Sequence, residues 1–308
     1  MSKIDRKEFF KQGTITSLGL LASNAVIGGT NTSGENTTKM DIETYDLMEE
    51  VLKYRKIDGY ATSNFSEENL ASQLDYANRL GIEKLFIAMP MLSRKETPEE
   101  FKSSNDLAIK AMKKFPERLV GQLSMNPLYK QAAMDEIDRC VDQGLRGTRL
   151  YNQVKINDPV YYPFIEKFID LKMIIFMHGE VQLGVGGYRM KYDANKALTT
   201  STPDDFVDVA KRYPEAKFQF AHLGGGGDWE YMCKAFQDYP NIYVDTGGSN
   251  NDEYMIDFAF ECLGEDRVFY GSDSSYFQSI GRVFASNLSD AQKRKLFYEN
   301  YHKLLTDY

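Results

Sequence analysis

From Lys56 onward the chain alternates short apolar runs with longer amphipathic stretches. The apolar runs end near Asp58, Pro90, Ser124, Leu150, His178, His222, Asp245 and Tyr270. Between them, apolar residues recur at spacings of three and four, the period of a helix with one buried face. Leu70, Leu74, Ala77 and Leu80 share such a face, as do Met134, Ile137 and Val141, and Phe206, Val209 and Ala210. Helix starts are marked as well. Thr97-Pro98-Glu99-Glu100 offers a capping threonine, a proline at the first helical position and a glutamate three residues on. Thr202-Pro203-Asp204-Asp205 repeats the logic with aspartate. Eight strand–helix units predict an α/β protein built as a (β/α)8 TIM barrel. A doubly wound sheet would carry a glycine-rich phosphate loop after its first strand. Here that strand reads Ile57-Asp58-Gly59-Tyr60, and the glycine run 224–227 comes late, after His222.

The N-terminal stretch breaks this rhythm. Asp5-Arg6-Lys7-Glu8-Phe9-Phe10-Lys11 precedes an apolar, small-residue run from Ile15 to Gly29. A charged segment followed by such a run has the order of a secretory signal. It resembles a twin-arginine export signal with Lys7 where the second arginine would stand. The expectation is an export segment and polar linker over residues 1–39, a barrel domain over 40–308, and a periplasmic location. The alternative is a cytoplasmic protein with a helical N-terminus.

Composition narrows the partners. The 308 residues are 42% hydrophobic, enough for a packed core, and carry a net charge of −8. An acidic chain is a poor match for nucleic acid or anionic membrane surfaces. No stretch of the barrel domain is long and apolar enough to span a bilayer. Cys140, Cys233 and Cys262 lie in apolar helical patterns without a CxxC pair, so they read as core residues. The segment 179–202 is the longest connection and carries Tyr188 and Arg189 among glycines, as a lid or substrate contact would.

The strand ends concentrate the chemistry. In a barrel these ends face the active site. His178, His222 and Asp273 close or follow three of the runs, and Arg149 closes a fourth in Gly147-Thr148-Arg149-Leu150. Asp273 could serve as a base whose pKa burial tunes, the histidines could shuttle protons, and Arg149 could hold a carboxylate or oxyanion. Tyr60 and Thr62 follow the first run and offer hydroxyls, with packing as their bland reading. Asp245 reads as a loop cap, Glu180 and Asn126 as loop residues, and His302 as a helix-surface residue. With three histidines in the chain, a four-ligand metal site cannot be built from histidines.

The order Ile-Asp-Gly-Tyr-Ala-Thr, Gly-Leu-Arg-Gly-Thr-Arg-Leu, Phe-Met-His-Gly, Phe-Ala-His-Leu-Gly-Gly and Tyr-Gly-Ser-Asp resembles the amidohydrolase-related family of TIM-barrel hydrolases and decarboxylases. The final stretch from Phe297 to Leu305 resembles that family's last helix, so the likeness runs from about Lys56 to Leu305. The resemblance implies a divalent metal, held by His-x-His on the first strand, a histidine on the fifth and an aspartate on the eighth. His178 and Asp273 match two of those ligands, and His222 matches the catalytic histidine. Tyr60 and Thr62 stand in place of His-x-His. Catalytic zinc is normally held by three protein ligands. The expectation is therefore no tightly bound cofactor, with zinc or manganese on His178 and Asp273 as the open alternative.

Three readings follow. The first is a hydrolase of a small lactone or ester, working by Asp273-assisted water attack without a metal. Arg149, His178 and His222 would hold the carbonyl or a carboxylate, Tyr60, Thr62 and Arg189 would line the pocket, and the arginines would favour an acidic substrate. The second is a non-catalytic barrel that binds a small molecule. The third is a weak-metal hydrolase or decarboxylase. The partner expected is a small-molecule substrate, and family precedent allows a homo-oligomer.

Overall fold

The computed structural model describes residues 46–91, 95–179, 199–223, 228–248 and 250–306. The export-signal segment, Arg189, Glu180 and the glycine run 224–227 lie outside the described residues.

The apolar runs become parallel strands. β1 (Lys56–Thr62), β2 (Ile82–Ala88) and β3 (Leu119–Gly121) form one sheet. β4 (Ile175–His178), β5 (Phe218–Ala221), β6 (Ile242–Asp245) and β7 (Val268–Phe269) form another. The extended segment 148–150 joins them. Thr148 bridges Leu123 and Leu150 bridges Met177. Arg149 N donates to Leu123 O at 2.7 Å, and His178 N donates to Leu150 O at 3.1 Å. The ring closes on its other side, where Gly59 N meets Tyr270 O at 2.9 Å and Asp273 N meets Tyr60 O at 2.8 Å. The fold is thus the TIM barrel expected, with one of its eight positions held by a bridging segment too short to ladder.

The helices start where the capping chemistry predicts. Thr97 and Glu100 form a capping box on the helix Pro98–Lys114, and Thr202 and Asp205 form one on Pro203–Arg212. The faces singled out by periodicity pack inward: Leu70, Ala77, Ile137, Phe206, Val209 and Ala210 are buried. Cys140 and Cys233 are buried free thiols, as their apolar setting implied. Among the described residues no helix is long and apolar enough to cross a membrane.

The first strand runs further than its sequence pattern suggested, through Asp58 to Thr62. A carboxylate in mid-strand would ordinarily mark an end. Here its charge is answered inside the barrel: Asp58 accepts from Ser272 N at 2.9 Å, from Ser272 Oγ and from Tyr60 N at 3.0 Å.

Below this level Ile57, Phe86, Ile174, Phe269, Tyr301 and Leu304 form a separate apolar cluster. Tyr301 comes from the last helix, Asn300–Thr306, and lies flat against Gly59, where an added Cβ would sit 2.8 Å from its ring. Overfilling a packed site of this kind costs about 1–3 kcal/mol. Gly59→Ala is therefore expected to lower unfolding free energy by about that much in chemical denaturation. An unchanged midpoint would show that the last helix does not pack on β1 in solution.

Candidate active site

The strand ends bring His178, His222, Arg149, Tyr60 and Asp273 together. The imidazoles of His178 and His222 meet edge to face with centroids 5.2 Å apart. Tyr60 packs its ring 4.7 Å from His222 and 4.9 Å from Phe176. Arg149 is fully buried, with its guanidinium carbon 4.0 Å from the Tyr60 ring centroid and 4.4 Å from that of Phe176. A guanidinium between two ring faces gains from both quadrupoles. Its Nη2 donates to Gln122 Oε1 at 2.6 Å and to Ala61 O at 3.3 Å.

His222 lies between two carboxylates. Nδ1 is 3.6 Å from Asp245 Oδ1, and Nε2 is 3.6 Å from Asp273 Oδ2. Asp245 is fully buried and accepts from Gln219 Nε2 at 3.0 Å and Gly247 N at 2.9 Å. The loop-cap reading of Asp245 thus holds for Gly247 but is incomplete, because the carboxylate also lies beside the His222 imidazole. Asp273 is the open end of the chain of groups, with its side chain 32% exposed. Burial raises its pKa above the usual carboxylate range, the His222 charge opposes that, and Asp245 adds to it. A carboxyl so placed can carry a proton closer to neutrality.

His178 behaves differently. Burial and the neighbouring His222 push its pKa down to about 3, so it stays neutral. Its ring stacks on Tyr151 with centroids 6.4 Å apart. Tyr60 is held protonated, its pKa raised well above the phenol range by burial. The backbone fits itself to this cluster at Gly248. Its φ is +82° and an added Cβ would lie 2.6 Å from His222 Cγ, so the loop passes flat over the imidazole. Arg282 fastens that loop, bonding Thr246 O and donating to Gly248 O at 2.9 Å.

Of the sequence candidates, Thr62 stands apart. It is half-buried at the end of β1, and its Oγ1 lies 2.9 Å from Ser274 Oγ. Asn126 caps a short turn by accepting from Leu128 N. His302 is exposed and stacks on Tyr298. Tyr151, Gln122, Gln219 and Phe176 were not singled out by sequence. Tyr151 could have been: in an extended segment residues two apart share a face, so Tyr151 accompanies Arg149.

Residues 88–306, well over half of the chain, match the model of the amidohydrolase family. The chain belongs to that family. Solved structures extend the likeness in fold. 2,6-Dihydroxybenzoate decarboxylase from Rhizobium superposes with a TM-score of 0.63 at 17% identity, covering 82% of this chain and 99% of that one. 4-Oxalomesaconate hydratase from Rhodopseudomonas palustris gives 0.60 at 18% identity, covering 81% and 95%. 5-Carboxyvanillate decarboxylase from Novosphingobium aromaticivorans, crystallised with manganese, gives 0.62 at 16% identity, covering 82% and 97%.

The metal that the family implies does not fit the described residues. No three His, Cys, Asp or Glu side chains among them converge on one point. Tyr60 and Thr62 stand where first-strand histidines would. The Tyr60 phenol is held protonated and its ring faces a guanidinium, while Thr62 is engaged with Ser274. Protein dialysed against metal-free buffer is accordingly expected to hold well under one equivalent of zinc or manganese by mass spectrometry. Near-stoichiometric metal would overturn this account of the donor set.

The neutrality of His178 has a second consequence. In the unfolded chain it takes up a proton near its usual pKa of about 6.5, while in the fold it does not. Its contribution to stability is therefore present above pH 6.5 and declines as the pH falls toward its folded value. Nitrogen-15 NMR should find one of the three histidines neutral at pH 5. Three histidines titrating near pH 6.5 would contradict the burial found here.

Proposed function

We propose that this protein is a metal-independent lyase that decarboxylates a small hydroxylated aromatic acid, with Asp273 as the proton donor. The observation that carries this reading is the Asp273–His222–Asp245 chain, opening beside a wall of aromatic rings and one buried cation. Asp273 lies 3.6 Å from His222, Tyr60 packs on His222, Phe176 on Tyr60, and Tyr151 on His178. Flat aromatic walls suit a flat substrate. Two of the three structural relatives described above are decarboxylases of such acids, which supports the choice.

The step balances with the groups present. The Asp273 carboxyl protonates the ring carbon that bears the substrate carboxylate. The bond from that carbon to the carboxylate then breaks, its electron pair restores the aromatic ring, and carbon dioxide leaves. Asp273, one-third exposed, takes its next proton from solvent, with His222 3.6 Å away as its neighbour inside the barrel. His178 stays neutral throughout. Hydrolysis of a lactone or ester remains a second reading. The observation in its favour is that water can reach the one-third-exposed Asp273, which would then act as base.

The test is carbon dioxide release from a panel of mono- and dihydroxybenzoates, run beside aromatic and aliphatic lactones. Release of carbon dioxide, insensitive to chelator and reduced roughly hundred-fold or more in kcat/KM by Asp273→Asn, is the expected result. The variant should melt within a few degrees of the parent. Ring opening of a lactone without carbon dioxide would replace this reading with the hydrolytic one. Turnover of neither class would leave a barrel that only binds.

A further inference from the structure

No hydrogen bond sets the tilt of the His222 imidazole. Its Nδ1 is buried without a partner among the described residues, and both flanking carboxylates stand at 3.6 Å, beyond hydrogen-bond length. Packing must hold the ring instead. One face of that packing is Tyr60, and another is bare backbone. A Cβ added at Gly247 would lie 2.9 Å from His222 Nδ1, and one added at Gly248 would lie 2.6 Å from His222 Cγ. Only glycines let a loop come so close to a ring.

What presses this loop into place is Arg282, from the helix Tyr276–Phe284. Its buried guanidinium bonds three successive carbonyls: Thr246 O, Gly247 O at 3.3 Å and Gly248 O at 2.9 Å. It also donates to Asn251 Oδ1 at 3.2 Å, which Gln278 Nε2 reaches at 2.8 Å. Thr246 is held without it, by its amide on Phe269 O and its hydroxyl against Gly271. The carbonyls of Gly247 and Gly248 have Arg282 as their one partner among the described residues. A planar fork can serve several carbonyls at once, which the single ammonium of a lysine does less well. On the amide side, Gly247 N donates to Asp245 Oδ1 at 2.9 Å, so the loop is stretched between a carboxylate and a guanidinium. We infer that Arg282 is a positioning residue, which holds the Gly247–Gly248 backbone against His222 and so keeps the imidazole between Asp245 and Asp273. This inference rests on the reading of those three groups as the part of the site that handles protons. It adds a residue outside the line that determines where the imidazole stands.

The test reads the histidines directly. Diethyl pyrocarbonate modifies accessible imidazoles, and peptide mass spectrometry reports the rate at each. In the full-length parent, exposed His302 should react fast and His222, 7% exposed, slowly. Arg282→Met should speed modification of His222 roughly ten-fold, as expected of a local opening, and leave His178 unchanged. Arg282→Lys keeps a cation without the fork and should give a smaller rise of the same selectivity. Gly248→Ala drives loop and ring apart with Arg282 intact and should speed His222 alone as well. Should Arg282→Met fail to fold, the lysine variant decides the role of Arg282. An unchanged His222 rate in the folded Arg282 variants, or equal acceleration of His178 and His222, would overturn the inference. On any acid that is turned over, Arg282→Met should lower kcat by up to about a hundred-fold with KM nearly unchanged, as a displaced group does. A raised KM at unchanged kcat would likewise overturn the positioning role. Selective exposure of His222 without turnover of any acid would sink the lyase reading alone.

Discussion

One charge that cannot be neutralised organises the mouth of this barrel. Arg149 sits on the segment 148–150 with its side chain pointing inward, and its guanidinium keeps its proton wherever it is buried. The rings of Tyr60 and Phe176 close on it from two sides, which ties the end of β1 to the middle of β4. The same charge bears on the metal question. A divalent ion about 5 Å from a guanidinium would be repelled by several kcal/mol at an effective dielectric near 20. Tyr60 and Thr62 in place of first-strand histidines and a buried arginine beside them thus act in the same direction, both disfavouring a divalent ion among the described residues.

The acid–base groups fit that substitution. Asp245, His222 and Asp273 form a line with equal 3.6 Å steps, buried at one end and one-third exposed at the other. Such a line sets a buried imidazole between a buried carboxylate and a partly exposed one, an arrangement suited to proton exchange between His222 and Asp273. His178 takes no part in the line. Beside Arg149 and His222 a second cation would be repelled, and burial already disfavours it, so the ring serves as a neutral face. The two sit at the ends of neighbouring strands: His222 lies between two carboxylates, while His178 packs as a neutral ring, chiefly because it is buried.

Much of this was legible in the sequence, for identifiable reasons. Buried parallel strands are apolar throughout, so their runs stand out, and capping boxes fix helix starts to the residue. The strand-end positions of His178, His222, Arg149 and Asp273 followed from the barrel rule. What stayed hidden depends on partners far apart in the chain. Asp58 looked like a strand end because its answering group, Ser272, lies 214 residues away. Thr62 reads as a free hydroxyl at the end of the first run because Ser274, which lies 2.9 Å from it, is 212 residues on. Tyr151 was hidden in a segment too short to read as a strand. Burial of Arg149 could not be inferred at all, because arginine at a strand end is ordinarily solvated.

The seam between the first and last strands carries the remaining argument. Asp273 and Ser274 both adopt positive φ, 47° and 60°, a region that costs a non-glycine residue of the order of 1 kcal/mol or more each. Such strain persists only where the surroundings over-determine it. Here they do: Asp58 accepts from both the amide and the hydroxyl of Ser272, and Ser272 Oγ in turn accepts from Ser274 N at 3.0 Å. Asp273 N is fixed to Tyr60 O from the other side. Burial raises the Asp58 pKa to about 6, against the Ser272 and Tyr60 bonds that favour its charge. The carboxyl therefore belongs to the closure of the barrel, and its bonds do double duty. The contacts that join β1 to β7 also aim Asp273 at His222. Loosening the seam would therefore shift Asp273 relative to His222, and the bonds that close the barrel are the same ones that satisfy an acidic group in the middle of the first strand.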